Sequence, residues 1–183
     1  VGGQGEVSVA VQSADPNYPV AADHAVYWGT NWAAGRSTEG VTPASVWYLP
    51  EGGWAGLEEW ITVFNPDSGS VNVTLDFFCA DGAVVQRTAA ITQGPGGVKV
   101  RVTEWLPYTA HGTRVTVVTG TGAAANVVVE RTVTWNAGDP EGHSSPGTPE
   151  RSPTWYFAEG HKGFLDTHFR LLNPDPSPAS VRL

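Results

Sequence analysis

Apolar and polar residues alternate with a period of two along most of this chain, and no stretch carries the spacing of an amphipathic helix. Val7, Val9 and Val11 alternate with Ser8, Ala10 and Gln12, which predicts a half-buried strand. Residues 20–28 predict a second. Residues 46–49 predict a short strand that Pro50 ends or leaves at an edge. Residues 58–65 are apolar on both faces, which predicts a central strand. Val71, Val73, Leu75 and Phe77 point one way, and Asn72, Thr74 and Asp76 the other. Further strands are predicted over 83–92, 98–103, 114–119 and 126–135, with an irregular stretch containing a helical turn over 104–112. The part of the chain from residue 46 to 135 thus predicts about seven short strands separated by turns, the pattern of a β-sandwich.

The turns carry their own chemistry. Asn65-Pro66-Asp67-Ser68-Gly69 combines a fixed φ, a side chain that caps locally and a residue free to take positive φ. Asp81-Gly82 is a hairpin signal. Gly120-Thr121-Gly122-Ala123-Ala124-Ala125 fits a dinucleotide-binding glycine pattern, but a strand-like Asn126-Val127-Val128-Val129 follows where that site needs a helix, so it reads as a hairpin. Residues 29–44 and 136–153 are rich in Gly, Ser, Thr and Pro and read as connectors.

The chain also repeats itself. Trp47-Tyr48-Leu49-Pro50-Glu51-Gly52 recurs as Trp155-Tyr156-Phe157-Ala158-Glu159-Gly160, and Asn65-Pro66-Asp67 as Asn173-Pro174-Asp175, both at an offset of 108 (155 − 47 and 173 − 65). Leu57 matches Leu165 at the same offset. Asp23-His24-Ala25-Val26-Tyr27-Trp28 mirrors Glu130-Arg131-Thr132-Val133-Thr134-Trp135 at 107 (135 − 28). A period this long is a domain per repeat. The expected division is 1–40 as the C-terminal part of one repeat plus a connector, 41–150 as a complete repeat plus linker, and 151–183 as the first strands of the next. Leu183 corresponds to Leu75, inside a strand, so both ends are expected to need partners, supplied by a continuing polypeptide or by strand addition from a neighbour.

Composition narrows the partners. The net charge of −8 argues against nucleic acid and against anionic lipid, both of which call for a basic face. No apolar run is long enough to span a membrane as a helix. The chain has no methionine and shows no signal peptide, and reads as a mature piece or a fragment. Cys79 is alone, so no disulfide forms within one chain. It follows an apolar run beside Asp76 and Asp81, which suits a small buried hydrophobe and not a reactive thiol.

Candidate chemistry is sparse. The histidines, His24, His111, His143, His161 and His168, show no paired metal-ligand spacing and no cysteine cluster joins them. Turn aspartates such as Asp15, Asp67 and Asp175 lack a calcium-loop pattern. No nucleophile elbow occurs. Glu51 and Glu159 recur, one per copy, each before a glycine. Their expected role is to accept backbone N–H bonds at a strand exit. No cofactor, metal or catalytic residue is therefore assigned, and the chain is not read as an enzyme. Tryptophan is the informative residue class. Trp28, Trp47, Trp135 and Trp155, with Tyr48 and Tyr156, fall at repeat-equivalent positions and are expected to pack in cores or junctions. Trp32 and Trp54 lie in loops without repeat partners and are the candidate contacts for a glycan.

The Trp-Tyr-Phe-Ala-Glu-Gly, Leu-Leu-Asn-Pro and Val-Val-Val-Glu-Arg segments resemble an uncharacterised tandem repeat of large secreted or surface proteins of actinobacteria and other bacteria. The resemblance covers essentially the whole chain. Pro50 replaces the Ala of the motif, and Asp23-His24 stands where Glu130-Arg131 stands in the full copy. What the resemblance implies is an extracellular or cell-surface setting and a structural or adhesive role. The expected fold is an all-β series of tandem immunoglobulin-like β-sandwich repeats of about 108 residues. The expected function is a segment of a filament, stalk or adhesin that joins neighbouring copies end to end, as a homopolymer, through strand complementation and Trp-rich junctions. The alternative is a carbohydrate-binding module that uses loop tryptophans on surface glycans.

Overall fold

The structure is a computed structural model and describes residues 7–28, 34–54, 56–107, 109–135, 141–160, 163 and 167–182. Ten strands form among the described residues, all in antiparallel pairs, and the one helical element is a single 3-10 turn at Val102–Glu104. They are β1 (Asp23–Trp28), β2 (Ala34–Glu39), β3 (Val46–Leu49), β4 (Glu58–Asn65), β5 (Val71–Cys79), β6 (Val84–Ile91), β7 (Gly96–Arg101), β8 (His111–Thr119), β9 (Val128–Trp135) and β10 (Glu141–Pro146). The chain is all-β, as the alternation predicts.

Strands β3 to β10 make two four-stranded sheets, in the orders β10-β9-β4-β7 and β3-β8-β5-β6. Both sheets turn their apolar rows to one core. Ile61 and Val63 of β4, Val100 of β7 and Val129 of β9 meet Trp47, Leu49, Val73, Leu75, Phe77, Val115 and Val117 from the other sheet. The period of two makes this possible, because each strand places alternate side chains on the shared face. β4 is interior to its sheet, as its two apolar faces predict. Its outer face carries Trp60, whose ring lies under Lys99 Nζ at 4.8 Å and the Arg101 guanidinium at 5.7 Å. Buried polar groups on the outer face of β5 are paired: Asp76 accepts from Arg114 Nη2 at 2.8 Å and from Gln86 Nε2 at 2.7 Å. Cys79 ends the inward row of β5, where burial first and the Asp81 charge second raise its thiol pKa.

The turns behave as their residues dictate. Gly82 takes positive φ in the β5–β6 hairpin, and Gly122 takes it in the tight turn that follows β8, closed by the Val118–Ala124 bridge, after which the chain crosses to β9 in the other sheet instead of pairing back on β8. Asn65 braces its turn by donating from Nδ2 to Gly69 O at 3.1 Å and accepting the Asp67 N–H at 3.1 Å. Asn173 does the same with Ser177 O at 2.7 Å and the Asp175 N–H at 3.2 Å. A turn set by four or five local residues forms in both copies.

Four sequence expectations need correction. The connectors over 29–44 and 136–153 contain β2 and β10, so the unit beginning at residue 46 has eight strands, not seven. Ala34-Gly35-Arg36-Ser37-Thr38-Glu39 and Glu141-Gly142-His143-Ser144-Ser145-Pro146 have no apolar alternation. They become strands because β1 and β9 offer them an open row of backbone groups. Residues 7–12 alternate cleanly yet form no strand, and their valines are exposed. The described residues of 151–182 form none either. An alternating segment becomes a strand only where a neighbour completes its ladder.

The β1–β2 hairpin duplicates the β9–β10 hairpin. Asp23 pairs with Glu39 and Trp28 with Ala34; Glu130 pairs with Pro146 and Trp135 with Glu141. All four partners differ by the same 107 residues, so the register is identical. β2 runs beside β10.

Candidate functional site

The recurring Trp-Tyr motif begins at β3. Trp47 is fully buried at the centre of the core, and its indole N–H is shared between Ala44 O at 3.0 Å and Val127 O at 3.1 Å. Those two carbonyls belong to a bridge in which Ala44 and Val127 also bond each other. Trp47 therefore joins the start of the unit to the approach of β9. Tyr48, on the opposite face of the strand, trades backbone hydrogen bonds with Thr148 in both directions, and the Arg151 guanidinium lies 5.6 Å from its ring. The chain enters and leaves this unit through one antiparallel bridge.

Glu51 follows immediately and works differently from the expectation. Among the described residues its carboxylate takes no backbone N–H bond and reaches across to the other sheet. Arg131 sits between Val129 and Val133 on the inward row of β9 and is buried. Its Nη1 donates to Glu51 O, and its Nη2 donates to Glu51 Oε2 at 2.6 Å. His143 Nε2, from β10, lies 3.0 Å from Arg131 Nη2 and 3.4 Å from Glu51 Oε2. One tautomer serves the carboxylate as donor, the other serves the guanidinium as acceptor. The hydrogen bond with His143, then the charge and hydrogen bond of Arg131, hold the Glu51 pKa at about 2 against 4.5, with burial opposing. Glu51, Arg131 and His143 form a clasp that ties the two sheets together at one end.

Beneath the clasp lies a second buried pair. Glu59 Oε2 accepts the Gly53 N–H at 2.9 Å and stands 3.3 Å from His111 Nε2. His111 Nδ1 is 2.7 Å from Thr109 O. This is why glycine follows Glu51. A Cβ on Gly52 would meet the His111 ring and the Glu59 carboxylate, and one on Gly53 would strike the Thr109 carbonyl. Gly53 also has φ +71°. Gly53→Ala is expected to cost about 2 kcal/mol, from the strained conformation and the displaced carbonyl together. A urea titration checks this; Gly56→Ala, at a positive φ with open space around it, is the control for conformation alone.

The tail of the chain lies over this end of the unit. Leu172 packs on Gly112. Arg170 Nε is 3.8 Å from Glu51 Oε1, and its guanidinium lies 4.1 Å from the Trp54 ring, with His168 on the same ring at 6.4 Å. Between tail and sandwich is a cleft of about 330 Å³ lined by Glu51, Arg131, Phe157, Glu159, His168 and Arg170 among others. Glu51 is a poor base for chemistry there: a carboxylate with a pKa of about 2, already bonded to a buried guanidinium, has little proton affinity near neutrality. Among the described residues, no group of three or more His, Cys, Asp and Glu is placed to hold a metal ion.

The aromatic candidates separate. Trp47 is core and Tyr48 marks the bridge with Thr148. Trp135 ends β9 with its ring 6.1 Å from His143, beside the clasp. The Trp28 backbone pairs with Ala34 at the end of β1. Trp155 is 51 % exposed and Tyr156 is 91 % exposed, outside any strand. Trp54 is 41 % exposed, but Arg170 is stacked on its ring. Trp32 lies outside the described residues. The sequence reading missed Arg131, His143 and Arg170. Arg131 had a signal: a cation at an inward parity position between two valines demands an anion nearby.

No protein-family model matches the chain, and no curated protein matches it. Among solved structures it is similar to that reported as Crystal Structure of Thermotoga maritima 1070, at a TM-score of 0.50 and 14 % identity, over 58 % of this chain and 95 % of that one. At this identity the likeness speaks for the fold alone.

Proposed function

We propose that the chain is a structural segment of an extracellular or cell-surface filament, stalk or adhesin, built from tandem immunoglobulin-like sandwiches. The observation that carries this reading is the β1–β2 hairpin, which repeats β9–β10 residue for residue in register and lies directly beside β10. A preceding unit would thus leave its last hairpin against the last hairpin of the next, giving successive units a fixed relative position. The residues of the recurring motif support the same role. Trp47, Glu51 and Arg131 are spent on holding two sheets together, and none is left free for a substrate. The low charged fraction, 15 %, suits a surface built for packing on neighbours.

Rigidity at the hairpin junction tests this. Spin labels at Ser37 of β2 and Thr88 of β6, both exposed, are introduced as cysteines in a Cys79→Ala background. A single narrow distance distribution is expected from pulsed electron resonance. A broad distribution, the mark of a flexible tether, removes the reading.

A further inference from the structure

β7 is the outer strand of the sheet β10-β9-β4-β7, and among the described residues no strand pairs with its second side. Its Val98 and Val100 stand opposite Val63 and Ile61 on the inward face, while Gly97 and Lys99 stand with Phe64 and Thr62 on the outer face. Val98 is only partly covered. So are Val85 and Ala89, which stand opposite Phe77 and Val73 on the inward face of β6, the outer strand of the facing sheet. The core is thus half-covered along the side where β6 and β7 come together.

The arm of residues 7–12 reaches this strand. A Cβ on Gly97 would stand 3.7 Å from Ser8 Oγ. Gly97 leaves bare backbone there, the kind of strand position at which a second chain can approach closely. Ser8 therefore lies on the outer face of β7. An extended arm with Ser8 on that face turns Val7, Val9 and Val11 to the face of Val98 and Val100, whichever way the arm runs. Val7 is 68 %, Val9 71 % and Val11 65 % exposed, and among the described residues the arm makes no backbone hydrogen bond. An apolar row with the right parity and an open row of backbone groups lie side by side without a ladder between them.

We infer that residues 7–12 are a strap that closes on β7 of the same chain. Closure adds a fifth strand to the sheet β10-β9-β4-β7 and extends its inward apolar row with Val7, Val9 and Val11, beside Val98 and across from Val85 and Ala89. Ser8, Ala10 and Gln12 then face solvent. The closed strap occupies the β7 backbone groups that another extended chain could pair with, and the open strap leaves that edge to a partner.

Hydrogen exchange of the full chain, resolved by residue with NMR, tests this. Alternate N–H groups of an outer strand turn away from its neighbour, so the β7 amides that turn away from β4 report on the strap. In the wild type they should exchange about tenfold slower than in a variant carrying Val9→Ser and Val11→Ser, which loses the apolar row; that ratio corresponds to a strap closed about nine-tenths of the time. Val9→Pro and Ala10→Pro are made separately. One of these two N–H groups faces β7 in the closed strap, so at least one of the variants should lose the protection too. The amides of β4 and β9 are the control for an intact sandwich and should not change. Unprotected β7 amides in the wild type, or a protection that every variant retains, overturns the inference. Protection that fades on dilution means that the arm pairs with a second copy, and overturns closure within one chain. The Ser37–Thr88 distance, which reads the hairpin junction, is indifferent to all of these outcomes.

Discussion

Replacing Trp47 by alanine is expected to cost about 3–5 kcal/mol, the range for removing a large aromatic side chain from a packed core. Trp47 is 0 % exposed and is the largest of the fully buried side chains. Its loss would open the junction between the two sheets and strip the Ala44–Val127 bridge of the indole N–H that both carbonyls share. For a unit of this size the melting temperature should fall on the order of 15 °C. Trp47→Phe separates the two contributions. It keeps much of the buried ring and loses the donor, so a cost of about 1–2 kcal/mol is expected. Differential scanning calorimetry of both variants checks the ratio. Equal losses would mean that the hydrogen bond, and not the buried volume, is what Trp47 contributes.

The second large effect belongs to the clasp. Glu51→Gln leaves the Arg131 guanidinium, whose side chain is 5 % exposed, without its counter-charge. Removing one partner of such a pair is expected to cost about 3 kcal/mol. The wild-type pair also carries a pH signature. The folded Glu51 pKa is about 2, below the ordinary 4.5, so the clasp's contribution is fully present above pH 4.5 and is lost as pH falls through about 2. With the carboxylate 28 % exposed, that contribution is about 2 kcal/mol after allowance for solvent screening. Chemical denaturation between pH 2 and 6 should show the wild type weakening towards acid, with the Glu51→Gln curve flatter in the same window. Parallel curves would place the acid sensitivity outside the clasp.

Both residues belong to the recurring Trp-Tyr-x-x-Glu-Gly motif, and the structure gives each motif position a mechanical task. Trp47 fills the core, Tyr48 bridges to Thr148, Glu51 crosses to Arg131, and Gly52 leaves room for Glu59 and His111. In the assembly proposed above, the copy of this set at an offset of 108 residues would close a second sandwich in the same way.

Local features of the fold were legible in the sequence because they depend on few neighbouring residues. The inward row of β5 follows from period-two alternation, the interior place of β4 from its two apolar faces, and the Asn65 and Asn173 turns form alike because each is braced by its own side chain. What only the tertiary structure decided is pairing. The polar stretches Ala34–Glu39 and Glu141–Pro146 are strands because β1 and β9 present open edges to them, while the alternating arm at 7–12 is not a strand. The Glu51–Arg131–His143 clasp likewise joins residues as much as 92 positions apart (143 − 51). Alternation costs nothing to write into a chain, but a ladder of hydrogen bonds and a desolvated ion pair exist only where folding brings the second partner to the first.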